Sequence, residues 1–183
     1  MKVMKFGGTS VGKPERMHQI VSLVTKESEP TIVVLSALSG TTNSLVEIGT
    51  HIAKGDRNAA KQSIDKLEAH YQAFVTDLLK KPDTLARAKN ILAEHFEFLN
   101  IILKISFSEA LSKDILAQGE LLSTKLFCTY LTEQGIDHAL LPALEFMTID
   151  SYDEPQIGSI KVRLSQLLQH HKDKKFFVTQ GYI

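Results

Sequence analysis

Two apolar stretches, each followed by a polar loop and a helical pattern, constrain the fold of this chain more than anything else in it. "KVMKF" is a short strand candidate, ended by Gly7 and Gly8 before a helix that begins near Pro14 and runs toward Glu27. Pro14 suits a first helical turn, where a missing N–H costs nothing. "TIVVLSA" is apolar and β-branched, the composition of a strand buried on both faces. It leads into "LSGTTNSL" and a second helix, Leu45 to Lys54. Strand, polar loop and helix, twice over, predict an α/β fold with a mainly parallel sheet.

From Asp56 to about Ser108 the sequence becomes long, charged and helical in period, with Ile64, Leu67, Tyr71, Phe74, Leu78 and Leu79 as its apolar positions. Two antiparallel helices broken at "KKPDT" are the simplest reading, with Phe96, Phe98 and Phe107 expected in the core. "GELLSTKLFCTYLTEQG" then reads as a helix stopped by Gly135. "DHALLPA" reads as a strand, Ile160 to His171 as an amphipathic helix, and "KKFFVTQGYI" as a last strand opening into a loop.

Twenty-one basic residues balance twenty-one acidic ones, so no global field steers the molecule onto nucleic acid or an anionic membrane. Any anion site must be local. A single cysteine, Cys128, excludes an internal disulfide and suits a reducing compartment, where it is expected as a small buried hydrophobe. No apolar run reaches the length of a membrane span, and the first residues lack the sections of a signal peptide. A cytoplasmic protein is the default expectation. His170 and His171 fall in the last turn of a helix, where the dipole favours positive groups, and no metal site is expected there.

"KFGGTS", Lys5 to Ser10, carries the chemistry expected of an anion site. Glycines directly after a strand let backbone approach a ligand, and the amides that follow sit near the positive end of a helix. Thr9 and Ser10 add hydroxyls and Lys5 a mobile charge, which makes phosphate the natural guest. The same residues also suit a Gly-Gly tight turn beside a surface lysine. "GGTSVGKP" misses the P-loop pattern, because Pro14 stands where a hydroxyl should meet magnesium, and its glycines lack the G-x-G-x-x-G spacing. The second loop, "LSALSGTTNSL", leaves its strand at the carboxyl end, where open parallel sheets place ligands. Ser36, Ser39, Thr41, Thr42 and Asn43 offer polar groups for a small substrate there, or an N-cap and turn cluster.

"KFGGTSV", "VVLSALSGTTN", "GELLST" and the terminal "TQGYI" stand in the order found in aspartate kinases of the amino-acid kinase family, and the chain resembles that family along its whole length. The resemblance implies an αβα sandwich and transfer of the γ-phosphoryl of ATP, with Mg2+, to the side-chain carboxylate of L-aspartate, at the start of lysine, threonine and methionine synthesis. It implies catalytic roles for Lys5, Gly8 and Glu120, with Lys5, Gly7, Gly8 and Ser10 about the phosphoryl group. It implies that Ser36 and Thr42 hold aspartate, that Glu120 orients substrate or Lys5, and that Tyr182 stands beside the amino acid.

The family has a further glycine-rich segment, most of its nucleotide site and its regulatory repeats beyond the point reached at Ile183. Residues 1–183 are therefore expected to be the amino-terminal, aspartate-binding part of the catalytic domain, inactive alone, with a helical insertion at about 56–108. An exposed sheet edge and self-association are expected to follow, in a parent that is a homo-oligomer. Two other functions fit less of the sequence: a relative that phosphorylates glutamate, acetylglutamate, carbamate or a nucleoside monophosphate, and a non-catalytic anion-binding module.

Overall fold

The computed structural model describes residues 1–105 and 107–181. In chain order the elements are β1 (Lys2–Phe6), α1 (Gly8–Val11), α2 (Pro14–Val24), β2 (Thr31–Leu35), α3 (Thr41–Ala53) and α4 (Arg57–Leu78). They continue with α5 (Pro82–Ile102), α6 (Glu109–Glu133), β3 (His138–Leu140), α7 (Ala143–Phe146), α8 (Ile157–His170) and β4 (Phe176–Gln180). The strands form one parallel sheet in the order β1-β2-β4-β3.

Alternation along the inner strands sends their side chains into two cores. Val33, Leu35 and Val178 join the larger one, built with α2 to α6 on one face. Ile32 and Phe177 join the smaller one with Phe146, Ile160 and Leu164 of α7 and α8. The αβα sandwich expected from the sequence results. Among the described residues β1 pairs only with β2, and its Val3, in register with Ile32, remains 64% exposed.

The helical pair appears where its period predicts it, as α4 and α5. Asp56 caps α4 by accepting the Ala59 amide at 3.0 Å, and Pro82 occupies the first turn of α5. Between them the chain is held by Glu133 from α6. Its carboxylate accepts the Lys80 and Lys81 amides at 3.0–3.1 Å and the Thr84 hydroxyl. Burial alone would raise the Glu133 pKa, but the hydrogen bonds from Thr84, Lys81 and Lys80 prevail and hold it below its ordinary value. A depressed folded pKa means the contribution is complete above the unfolded value and is lost as pH falls through the folded one. We expect Glu133→Gln to cost about 1–3 kcal/mol at neutral pH and to flatten the acid dependence of stability, read from urea unfolding at pH 7 and pH 3.5.

Three local expectations change. Helix α6 begins at Glu109, well before "GELLST", because Ser108 accepts the Leu111 amide at 3.2 Å and Glu109 suits the first turn. Helix α3 begins at Thr41, because Gly40, in the left-handed region at φ 85°, turns the chain directly into it. Phe107 is not core: it precedes the Ser108 cap and stays 39% exposed, whereas Phe96 is buried and Phe98 partly so.

Candidate functional site

The site lies at the carboxyl ends of β1 and β2. Beyond β1, Gly7 starts the single turn α1, closed by the Ser10 amide on the Gly7 carbonyl at 2.8 Å. Beyond β2, the Ser36 amide donates to the Phe6 carbonyl at 3.1 Å and prolongs the β1–β2 pairing by one residue. The Ser36 carbonyl in turn accepts the Ser123 hydroxyl of α6 at 2.8 Å. The segment from Ser36 to Thr41 then crosses the strand tips, with the Thr41 amide bonded back to Leu38 at 3.0 Å.

Glycines hold this crossing segment on two sides. A methyl group on Gly8 would stand 2.9 Å from the Ala37 carbonyl oxygen, and one on Gly12 would stand 2.6 Å from the Ser39 Cβ. On the other side, a methyl on Gly119 of α6 would lie 2.8 Å from the Ala37 Cβ and 3.1 Å from the Thr41 Cγ2. Gly8 is thus needed for close packing of the two loops, a requirement distinct from ligand approach. Gly7 meets no such neighbour. An exposed helical Gly→Ala change stabilises by about 1 kcal/mol. Overpacking costs about 1–3 kcal/mol, and Ala37 has Gly8 behind it. We therefore expect Gly119→Ala to destabilise, by about 1 kcal/mol net, in urea unfolding; a gain in stability would contradict this packing.

Between these elements opens a cleft of about 580 Å³. Four residues given roles by the family resemblance line it together: Gly8, Ser36, Thr42 and Glu120. Thr9, Ser39 and Gly40 complete its polar wall. Glu120 sits in the interior of α6, 7% exposed, so its position is not that of a helix-start acid. Its Oε2 is 3.5 Å from where a Gly181 side chain would begin, at the end of β4, where the Gly181 amide reaches the Leu35 carbonyl at 3.0 Å.

Other sequence candidates stand apart. Lys5 is exposed near the end of β1, in register with Val34, and is not among the residues lining the cleft. Ser10 borders a different surface cavity with Phe6 and Arg16. Gly7 serves as the cap of α1. Tyr182 lies outside the described residues. The sequence reading missed the structural part of Gly119, although a glycine inside a long helical pattern is the signal that a neighbour comes close.

Among the described residues, no three His, Cys, Asp or Glu side chains are placed to hold a metal ion. The His170 and His171 rings meet edge-on at 5.0 Å at the end of α8. Burial pushes the Cys128 thiol up to about 12, so it carries no thiolate chemistry at neutral pH. No described helix is long and apolar enough to cross a membrane.

A sequence profile of the amino acid kinase family matches residues 1–183. The lysine-sensitive aspartokinase 3 of Escherichia coli is 29% identical over 186 residues, covering 99% of this chain and 40% of that protein. The chloroplastic aspartokinase 2 of Arabidopsis thaliana is 34% identical over 165 residues, covering 85% of this chain and 29% of that protein. Among solved structures, E. coli aspartokinase III in complex with aspartate and ADP superposes with a TM-score of 0.80 at 25% identity, over 99% of this chain and 40% of that one. Its complex with lysine and aspartate superposes with a TM-score of 0.82. This chain spans less than half the length of each of these relatives.

Proposed function

The chain belongs to the amino acid kinase family, and from that premise we propose that it is the acceptor-binding part of an aspartate kinase, which phosphorylates the side-chain carboxylate of L-aspartate from ATP. The observation that carries this reading is the convergence of Gly8, Ser36, Thr42 and Glu120 on one cleft at the strand tips. The solved relative with aspartate and ADP has the same fold across this region.

In this reading Ser36 and Thr42 offer hydroxyls to the substrate carboxylates, and Glu120 offers a carboxylate to the substrate ammonium or to Lys5. Gly8 presents its main-chain amide toward the phosphoryl group, with Gly7 at the turn before it, where the Ser10 amide closes α1 on the Gly7 carbonyl. Lys5, exposed near the end of β1, supplies positive charge to the phosphoryl oxygens through its flexible stem. A carboxylate oxygen of aspartate attacks the γ-phosphorus, an O–P bond forms, and the bond to the bridging oxygen of ADP breaks. No protein nucleophile or proton acceptor is required, so catalysis consists of alignment and charge neutralisation. Glu120 is the one carboxylate lining the cleft among the described residues. Mg2+ is expected to arrive with the phosphates of ATP.

The test is titration of the isotopically labelled 183-residue polypeptide with L-aspartate, L-glutamate and N-acetyl-L-glutamate, followed by amide chemical shifts. Saturable shifts confined to the cleft amides with aspartate, weaker with the others, and no aspartate-dependent ADP release from this polypeptide alone, are expected. Preference for another acceptor would assign a different reaction within the family. Absence of any response would leave a module without acceptor binding.

A further inference from the structure

Helix α4 touches the acceptor loop through one polar contact. The Tyr71 hydroxyl lies 3.0 Å from the Thr41 Oγ1, in a setting where Tyr71 is 0% and Thr41 1% exposed. Thr41 is the first residue of α3, between the left-handed Gly40 and the cleft residue Thr42. Among the described residues this is the only hydrogen bond from α4 to the segment 36–42. Farther along, α3 and α4 pack through the main core, with Leu45 and Ile48 of α3 and Ile64 and Leu67 of α4 in it. A cavity of about 260 Å³ opens between Gly40, Thr41 and Ser44 of the loop and first turn and Ser63, Lys66 and His70 of α4.

We propose that Tyr71 is a positioning residue for the acceptor: its hydroxyl fixes the start of α3, and through Thr41 it sets where Thr42 and the Ser39–Gly40 turn stand in the cleft. This rests on the acceptor-site reading above. The ring itself is held independently, edge-on to Phe96 with centroids 6.0 Å apart, so the hydroxyl can be removed while the aromatic packing remains. Burial raises the phenol pKa well beyond its ordinary value, and the group stays a neutral donor and acceptor at working pH. Loss of either partner leaves the other hydroxyl buried without a hydrogen bond, whereas loss of both removes that penalty. The pair α4 and α5 thereby has a role at the site without contributing a residue to the cleft.

The experiment compares Tyr71→Phe, Thr41→Val and the double variant in the 183-residue protein, by amide hydrogen exchange and aspartate titration. Tyr71→Phe is expected to speed exchange of the Ser39 to Ser44 amides about tenfold and to raise the aspartate Kd about tenfold, with α5 protection unchanged. The double variant is expected to be no worse than either single one. Loop exchange and Kd within twofold of wild type would overturn the proposal. So would loss of protection spread evenly over α4 and α5, the mark of a purely structural role. If the wild type binds no aspartate, the acceptor reading fails, and loop exchange alone then decides whether Tyr71 holds the loop.

Discussion

On the acceptor-site reading, Glu120→Ala is expected to abolish saturable L-aspartate binding, with a loss of at least about a hundredfold in affinity. Among the described residues Glu120 is the only carboxylate lining the cleft, and it is almost fully withdrawn from water. Aspartate brings one ammonium to a site otherwise made of hydroxyls and main chain. Truncating one member of a buried, hydrogen-bonded charge pair costs about 2–5 kcal/mol, and each 1.4 kcal/mol is tenfold in Kd. Alanine is the best helix former, so α6 itself is expected to persist. Glu120→Gln separates charge from shape: it keeps the volume and two polar atoms and is also expected to lose most of the affinity. Amide-shift titration reads both variants. Wild-type affinity in Glu120→Gln would show that the negative charge has no part in holding the acceptor.

The second large effect falls on rate. Lys5→Ala is expected to lower aspartate-dependent ADP release by the complete gene product about a thousandfold. A unit charge about 4 Å from the phosphoryl oxygens is worth roughly 4 kcal/mol at an effective dielectric of 20, and each 1.36 kcal/mol is a decade in rate. Since Lys5 is exposed on the edge strand, its removal is expected to leave the urea midpoint unchanged. Aspartate titration of Lys5→Ala also tells which partner Glu120 serves. Unchanged binding places the carboxylate with the substrate, and weakened binding places it with the lysine. Activity within tenfold of wild type in Lys5→Ala would remove Lys5 from the phosphoryl site.

Periodic features were legible in the sequence, and contacts between distant segments were not. The run "TIVVLSA" showed that β2 is buried on both faces, because both sets of alternate residues are apolar. The break between α4 and α5 was legible from Pro82 and the residues before it. The convergence of Gly8, Ser36 and Thr42 followed from strand ends that a parallel sheet brings side by side. The start of α6 was obscured, since its charged first half gives a weak apolar period and only Ser108 marks the cap. The tight contacts of Gly12 with Ser39 and of Gly119 with Ala37 depend on how helices sit against a loop, which no local pattern encodes. The Tyr71–Thr41 hydroxyl pair is of the same kind, its members thirty positions apart in the sequence. The helices expected within 56–108 are α4 and α5, and Tyr71 of α4 reaches Thr41 at the start of α3.

One helix ties these parts together mechanically. Helix α6 carries Gly119 against the crossing segment, Glu120 at the cleft and Glu133 at the clamp on the α4–α5 turn. At 1.5 Å per residue the two glutamates are roughly 20 Å apart along a stiff rod. A tilt of about 5° pivoting on the clamp would swing the cleft carboxylate by roughly 1.7 Å, beyond the misplacement of about 1 Å that already costs a reaction two decades in rate. The ends of this lever are far apart in function and cannot be adjusted separately.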